Sequence, residues 1–520
     1  MFRLALKGPY FMRTRTSSRR SAAALTAGAL LLSFAGTVGV ASAASANGET
    51  PAPSLANINQ STPRSLTLHK YEESASSEKK GSTSEKTDLG LKPLKDAGFT
   101  VYKVGGIDLK DSAGWDKANE LATALNGAGG GACAIPGSVS GVTLGAASTE
   151  QFTDANGDTT FAGLDFAAYV VCETTLPAGV VTGSLPFLVT LPLSGTGSQA
   201  PWIYDVHAYP KNSSSSVTKD VLAPSGILAG STVDFVVKSD IPVVTAPKVL
   251  SEYSLSDTVD SRLTDVKVVS VKIDGSPVVF TDNTSGNAVK IDFVGTQLGA
   301  VKAAGGKQIE VVISAQVNGG SAEDLGIIRN TANVTLTAGG KTTTIPSNEV
   351  TTNWGGFTLL KHVTGDKSST LAGAEFSVFK GVKGDDDTCT AAKDGAAIIT
   401  GLTTAADGTA SVPALFIGNT TRDNTGAIVE AETVGCFVLE ETKAPAGYAL
   451  DSTPQAIQVE ADSNELVYQN IAFANVKKTS GELPLTGAAG QVLLTLGGVA
   501  AVAIAGGLML VRRRNQAEAR

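Results

Sequence analysis

Histidine is nearly absent from this chain, with three in 520 residues, and methionine and tryptophan are equally scarce. His69, His207 and His362 each stand alone in a strand-like stretch, with no metal-ligand spacing around them and no adjacent nucleophile. Neither a Gly-rich phosphate loop nor a nucleophile elbow occurs. The formal charge is -8, and no basic stripe is present to meet nucleic-acid phosphates. These absences argue against an enzyme, a nucleic-acid partner, a bound metal or a cofactor. Aromatic residues make up only 6%, and there are just four cysteines.

What is abundant lies first at the two ends. Arg13, Arg15, Arg19 and Arg20 precede an apolar stretch from Ala22 to Val40, and Ala41, Ser42, Ala43, Ala44, Ser45 and Ala46 supply small residues for cleavage. Residues 1–46 therefore read as a secretory signal peptide, with the mature chain starting near Asn47. At the other end, Leu483, Pro484, Leu485, Thr486 and Gly487 precede an apolar run from Val492 to Val511 and then Arg512, Arg513 and Arg514. The run is long enough to span a bilayer as one helix, and the arginines mark its cytoplasmic side.

Between the ends lie about 430 residues, enough for two to four domains. The 57 glycines and the alternating Thr, Val and Ser stretches predict an all-β chain with frequent turns. One helix is expected at Asp116–Leu125, where Leu121 and Leu125 share a face. Four cysteines in an exported chain predict two disulfides. Pairing Cys133 with Cys172 and Cys389 with Cys436 keeps each bond within one domain, while other pairings stay open.

The chain repeats itself. Leu66-Thr67-Leu68-His69-Lys70 matches Phe357-Thr358-Leu359-Leu360-Lys361, the block from Leu94 to Lys103 matches Leu371 to Lys380, and the block from Cys172 to Gly179 matches Glu440 to Gly447. Three blocks in one order imply that the first and last domains share a fold. The region between them, with strand-like runs at Thr232–Val237 and Asn333–Thr337, reads as a second type of β-sandwich. The expected division is 1–46, 47–212, 213–353, 354–478 and 479–520.

Three motifs carry a family resemblance. The tail resembles the LPXTG sorting signal that sortases cleave between Thr and Gly through a thioacyl intermediate. Leu439 to Tyr448 resembles the E-box of Gram-positive pilins, and Trp202 to Asn212 resembles their pilin motif, with Ala208 where valine is commoner. Together they resemble the major shaft pilins of actinobacterial fimbriae, built from tandem immunoglobulin-like β-sandwiches of collagen-adhesin type. The resemblance implies that the Thr486 carbonyl is passed to the Lys211 amine of another copy, making a covalent homopolymer that is finally joined to peptidoglycan. The implied partners are pilus-specific and housekeeping sortases, accessory pilins, peptidoglycan and host glycans or proteins that the sequence does not identify. The implied location is the cell wall, and the implied role is adhesion and biofilm formation.

The family also forms amide bonds inside each subunit, between a lysine on the first strand of a domain and an asparagine on the last, beside an acid. Burial disfavours the charges, so a neutral lysine attacks a carboxamide polarised by a protonated acid, and ammonia leaves. The resemblance assigns Lys361, Asn475 and Glu441 in the last domain. For the middle domain it assigns Lys219, Asn348 and Asp257, the last preferred over Asp260. Aligning Val206 to Lys211 on Ala472 to Lys477 puts Tyr209 where the first domain needs an asparagine, so Lys70 and Glu173 are expected as a residual ion pair or exposed. Cross-links are then expected only where tension between Lys211 and Thr486 is carried. The competing reading, a wall-anchored or tip adhesin, shares the end signals but does not require the pilin motif.

Overall fold

The computed structural model describes residues 55–478 apart from 76–78, 128–132, 196–201, 319–324, 385–387, 424 and 462–467. The expected signal peptide, the sorting pentapeptide with Thr486, and the apolar run lie outside the described residues. Among the described residues no helix is long and apolar enough to cross a membrane. Among the described residues strands predominate, accompanied by two α-helices.

In the first unit, Ser65–His69 lies between Asp205–Ala208, parallel to it, and Asp158–Ala162, antiparallel. The facing sheet places Gly98–Gly105 beside Ala167–Thr175, which in turn pairs with Phe187–Leu191. Leu66, Leu68, Phe99, Val101, Val171 and Val206 fill the space between the sheets. The helix runs Ser112–Gly127, a turn longer at its start than the expected span. Its buried stripe begins with Trp115 and Ala118 before Leu121 and Leu125, and the Asp111 carboxylate accepts the Gly114 N–H at 2.8 Å at its N-terminal end.

The middle unit is a sandwich of two five-stranded sheets. Thr232–Asp240 alternates buried and less buried residues along its length, the two-residue period of a strand with one face in a core. It pairs with Val217–Val221 and with Gln308–Val317. Leu250–Thr258 and Ala332–Ala338 lie in the opposite sheet. Phe235, Tyr253, Ile291, Val311 and Val334 meet between them.

A single 14-residue strand, Val350–Val363, ties the middle and last units together. Its first residues pair with Ile327–Asn330, and Gly356 to Val363 pair in parallel with Tyr468–Asn475. The expected boundary between residues 353 and 354 therefore falls inside a strand. The second sheet of the last unit orders Cys389–Thr403, Glu375–Lys383, Val434–Lys443 and Gln455–Glu460. Disulfides join Cys133 to Cys172 and Cys389 to Cys436, with Cα atoms 5.8 and 5.3 Å apart.

Candidate functional site

Lysine is the residue that a β-sandwich core should exclude, because burying an unpaired ammonium is costly. Here three lysines, Lys70, Lys219 and Lys361, are at most 1% exposed. Lys219 and Lys361 sit on early strands of their units and Lys70 directly follows one, each with its amine over a phenylalanine ring: Phe235 at 4.9 Å, Phe376 at 5.8 Å and Phe99 at 5.4 Å.

In the last unit, Lys361 Nζ is 3.2 Å from Glu441 Oε1, and the Asn475 carboxamide nitrogen donates to Glu441 Oε2 at 2.8 Å. A second donor, the Asp451 N–H at 3.0 Å, fixes the same carboxylate oxygen. Asn475 Oδ1 is buried without a hydrogen-bond partner among the described residues. Burial pulls the Lys361 amine below its ordinary pKa, with Glu441 opposing. The amine, acid and carboxamide assigned from sequence thus meet in one buried cluster.

The first unit repeats this pocket, and the expectation of a missing asparagine is corrected. Asn212, not Tyr209, stands where Asn475 stands in the last unit, and Lys70 and Glu173 form a buried ion pair beside it. Lys70 Nζ donates both to Asn212 Oδ1 and, at 2.9 Å, to Glu173 Oε2, while Asn212 Nδ2 donates to Glu173 Oε1 at 2.5 Å. The register explains the error. Val363, two residues after Lys361, pairs with Asn475, and Glu72, two residues after Lys70, pairs with Asn212. The correct alignment therefore sets Asn212, not Tyr209, on Asn475. Tyr209 is instead half-buried beside His69, and its hydroxyl donates to Glu85 O at 2.8 Å and accepts from the Thr87 N–H at 2.7 Å. The amine of Lys70 is pulled down to about 8 by burial, against the opposing pull of Glu173. The likeness extends to the backbone. The Lys70 N–H donates to Gly157 O at 2.7 Å and the Lys361 N–H to Gly408 O at 2.8 Å. Both glycines have φ of 78°, and a Cβ on either would come within 2.3 or 2.7 Å of the lysine carbonyl.

In the middle unit, Lys219 Nζ donates to Asp257 Oδ2, and Asn330 Nδ2 reaches the same oxygen at 3.3 Å. Asn330 is 3% exposed and its Oδ1 has no partner among the described residues. Asn348, the asparagine assigned from sequence, is placed elsewhere. Its Oδ1 accepts the Lys219 N–H and its Nδ2 donates to Lys219 O, both at 2.8 Å, so it clamps the strand backbone and leaves the amine alone. Asp260 pairs with Arg262 at 2.7 Å and takes no part. Burial lowers Lys219 to about 8 and raises Asp257, each opposed by the other's charge.

Lys211 begins the strand Lys211–Ser214 and lies in a cleft of about 210 Å³ lined by residues that include Leu185, Pro186, Ala208, Pro247 and Lys248. Its amine donates to Lys79 O at 2.9 Å, with Glu73 Oε1 at 3.9 Å. The histidines are not all solitary. His69 Nε2 and His207 Nδ1 are 2.8 Å apart on neighbouring strands, and His69 Nδ1 is 2.7 Å from Asp158. Cross-strand pairing brings together two residues that lie 138 apart in sequence, so local spacing carried no sign of it.

Comparison with known proteins agrees with this architecture. Residues 61–213 match the Gram-positive pilin subunit D1, N-terminal domain; residues 355–472 match a prealbumin-like fold domain; and residues 475–518 match the LPXTG cell wall anchor motif. The chain is 34% identical to fimbrial subunit type 2 of Actinomyces naeslundii, over 96% of this chain and 97% of that one. It is 29% identical to fimbrial subunit type 1 of Actinomyces viscosus, over 96% and 97%. The full-length major pilin SpaD from Corynebacterium diphtheriae superposes with a TM-score of 0.59 at 26% identity, covering 82% of this chain and all of that one. The chain therefore belongs to the Gram-positive fimbrial subunits, as an all-β shaft pilin displayed on the cell surface through an LPXTG wall anchor.

Proposed function

We propose that copies of this chain are joined head to tail by an amide between the Thr486 carbonyl of one and the Lys211 amine of the next, and that each copy carries three internal amide cross-links. A pilus sortase makes the first kind of bond, and a housekeeping sortase ends the fibre on peptidoglycan, where accessory pilins join it. The internal bonds form without an enzyme. The lysine nitrogen attacks the asparagine Cγ, the bond from Cγ to Nδ2 breaks, and ammonia carries away the nitrogen and the protons relayed by the acid. The pairs are Lys70 with Asn212 beside Glu173, Lys219 with Asn330 beside Asp257, and Lys361 with Asn475 beside Glu441.

The observation that carries this reading is the recurrence, three times, of a buried lysine touching a buried acid that also holds an asparagine side chain. An ion pair of that kind placed only for stability would be a poor choice, since apolar side chains of equal volume serve as well. Burial that lowers the amines of Lys70 and Lys219 to about 8 raises the share of neutral, nucleophilic nitrogen at pH 7 above that of an ordinary lysine. Intact mass of the purified chain tests the count: each bond removes one ammonia, about 17 Da. Three losses are expected, and a mass equal to that of the processed sequence would refute all three bonds. For the intermolecular bond, Lys211→Ala should leave monomers in place of a high-mass ladder on denaturing gels.

A further inference from the structure

The reaction at Lys211 needs something the sortase signal does not supply. A lysine in water at neutral pH is an ammonium with no lone pair, so one proton must leave before the nitrogen can attack the thioacyl carbon. As the C–N bond forms and the C–S bond breaks, the nitrogen sheds a second proton. One of the two goes to the departing thiolate, and the other needs an acceptor.

Glu73 stands where that acceptor must be. Its backbone N–H donates to Asn212 O at 2.7 Å, which fixes it beside the residue that follows Lys211. Its carboxylate and the Lys211 side chain are only 10% and 8% exposed, and they face each other at 3.9 Å inside the same cleft. An approach of about 1 Å brings the pair to proton-transfer distance. Lys79 O holds another amine hydrogen at 2.9 Å, so the two acceptors orient the nitrogen. The bland account, an ion pair that only tethers the side chain, fits exposed pairs, where such contacts are worth little; this one is nearly covered and opens on the cleft. Lys248, Lys79 and Lys80 line the same cleft, and Lys248 and Lys70 also feel the charge of Glu73.

We propose that Glu73 is the base that takes the proton from Lys211 during sortase-catalysed joining, an inference that rests on Lys211 being the acceptor amine. The test mixes the full chain with the pilus sortase of the producing strain and a synthetic Leu-Pro-Leu-Thr-Gly peptide, and follows transfer of the peptide to Lys211 by mass. Glu73→Gln should lower kcat about a hundredfold at pH 7 with KM for the chain within twofold. The ratio of wild-type to variant rates should shrink toward pH 9 as hydroxide takes over, and Glu73→Asp should recover part of the rate. Equal rates, a loss confined to KM, or a ratio that does not change with pH would overturn the proposal. Lys211→Ala must take up no peptide at that strand; undiminished transfer to that variant would instead overturn the assignment of Lys211, leaving the two failures distinct.

Discussion

Two asparagines compete for Lys219, and replacing each in turn separates them. Asn330 shares Asp257 Oδ2 with the Lys219 amine, whereas Asn348 binds only the Lys219 backbone. Asn330→Ala should abolish the middle cross-link and restore about 17 Da to the intact mass. The lost bond closes a loop of about 110 residues, which the chain-entropy account values at about 5 kcal/mol. For a unit of this size that is a fall of roughly 15 °C in the midpoint of its calorimetric transition. Asn348→Ala should keep the mass deficit. Its cost is two backbone hydrogen bonds whose buried groups lose their partner, about 1–3 kcal/mol. Mass spectrometry of tryptic fragments reads the bond directly. Recovery of a Lys219–Asn330 linkage in wild type and in Asn348→Ala supports the geometry. A linkage that survives Asn330→Ala and vanishes in Asn348→Ala would refute it.

Other outcomes follow from the same contacts. Asn212→Ala should likewise return about 17 Da, mapped to the peptides that hold Lys70, and if the wild-type first unit showed no deficit the Lys70, Glu173 and Asn212 pocket would be only an ion-pair network. In the uncross-linked Asn330→Ala chain, burial should hold Lys219 near 8 when folded, below its ordinary 10.5 when unfolded. The unfolded state therefore binds more protons between those values. The burial penalty is in full force below about pH 8, and stability should rise by about 3 kcal/mol toward pH 10.5, measurable by denaturant titration. The disulfides close separations of 39 and 47 residues, so Cys133→Ser and Cys389→Ser should each cost about 4 kcal/mol in reversible melting, and an unchanged midpoint would deny them a stabilising role.

How much of this was legible in the sequence depended on whether the signal was local. The repeat blocks around Lys70 and Lys361 were readable because matching turns and strands leave matching residues. The two lysines keep the same glycine contacts, at Gly157 and Gly408, in the folded chain. Asp257 could be preferred over Asp260 from pattern alone, and the folded chain puts Asp257 on Lys219 and Asp260 on Arg262. Asn212 was missed because the alignment was anchored on lysines, Lys211 on Lys477. The register between first and last strands, an offset that persists across Pro210, was the better anchor. That Asn330 lies beside Asp257 was not legible for a different reason. Asn330 closes the short strand Ile327–Asn330, which pairs with the start of Val350–Val363, so the strand nearest the domain boundary was not the one that carries the carboxamide beside Asp257. The meeting of His69 with His207 depends wholly on strand pairing, which composition does not encode.

A covalent shaft of this kind requires a Thr486–Lys211 amide at the junction between neighbouring copies. Fibres stripped from cells, digested and sequenced by tandem mass spectrometry should yield a branched peptide in which Leu483-Pro484-Leu485-Thr486 ends on the Nζ of Lys211. Finding Thr486 attached to a different lysine, or only to wall peptide, would contradict it.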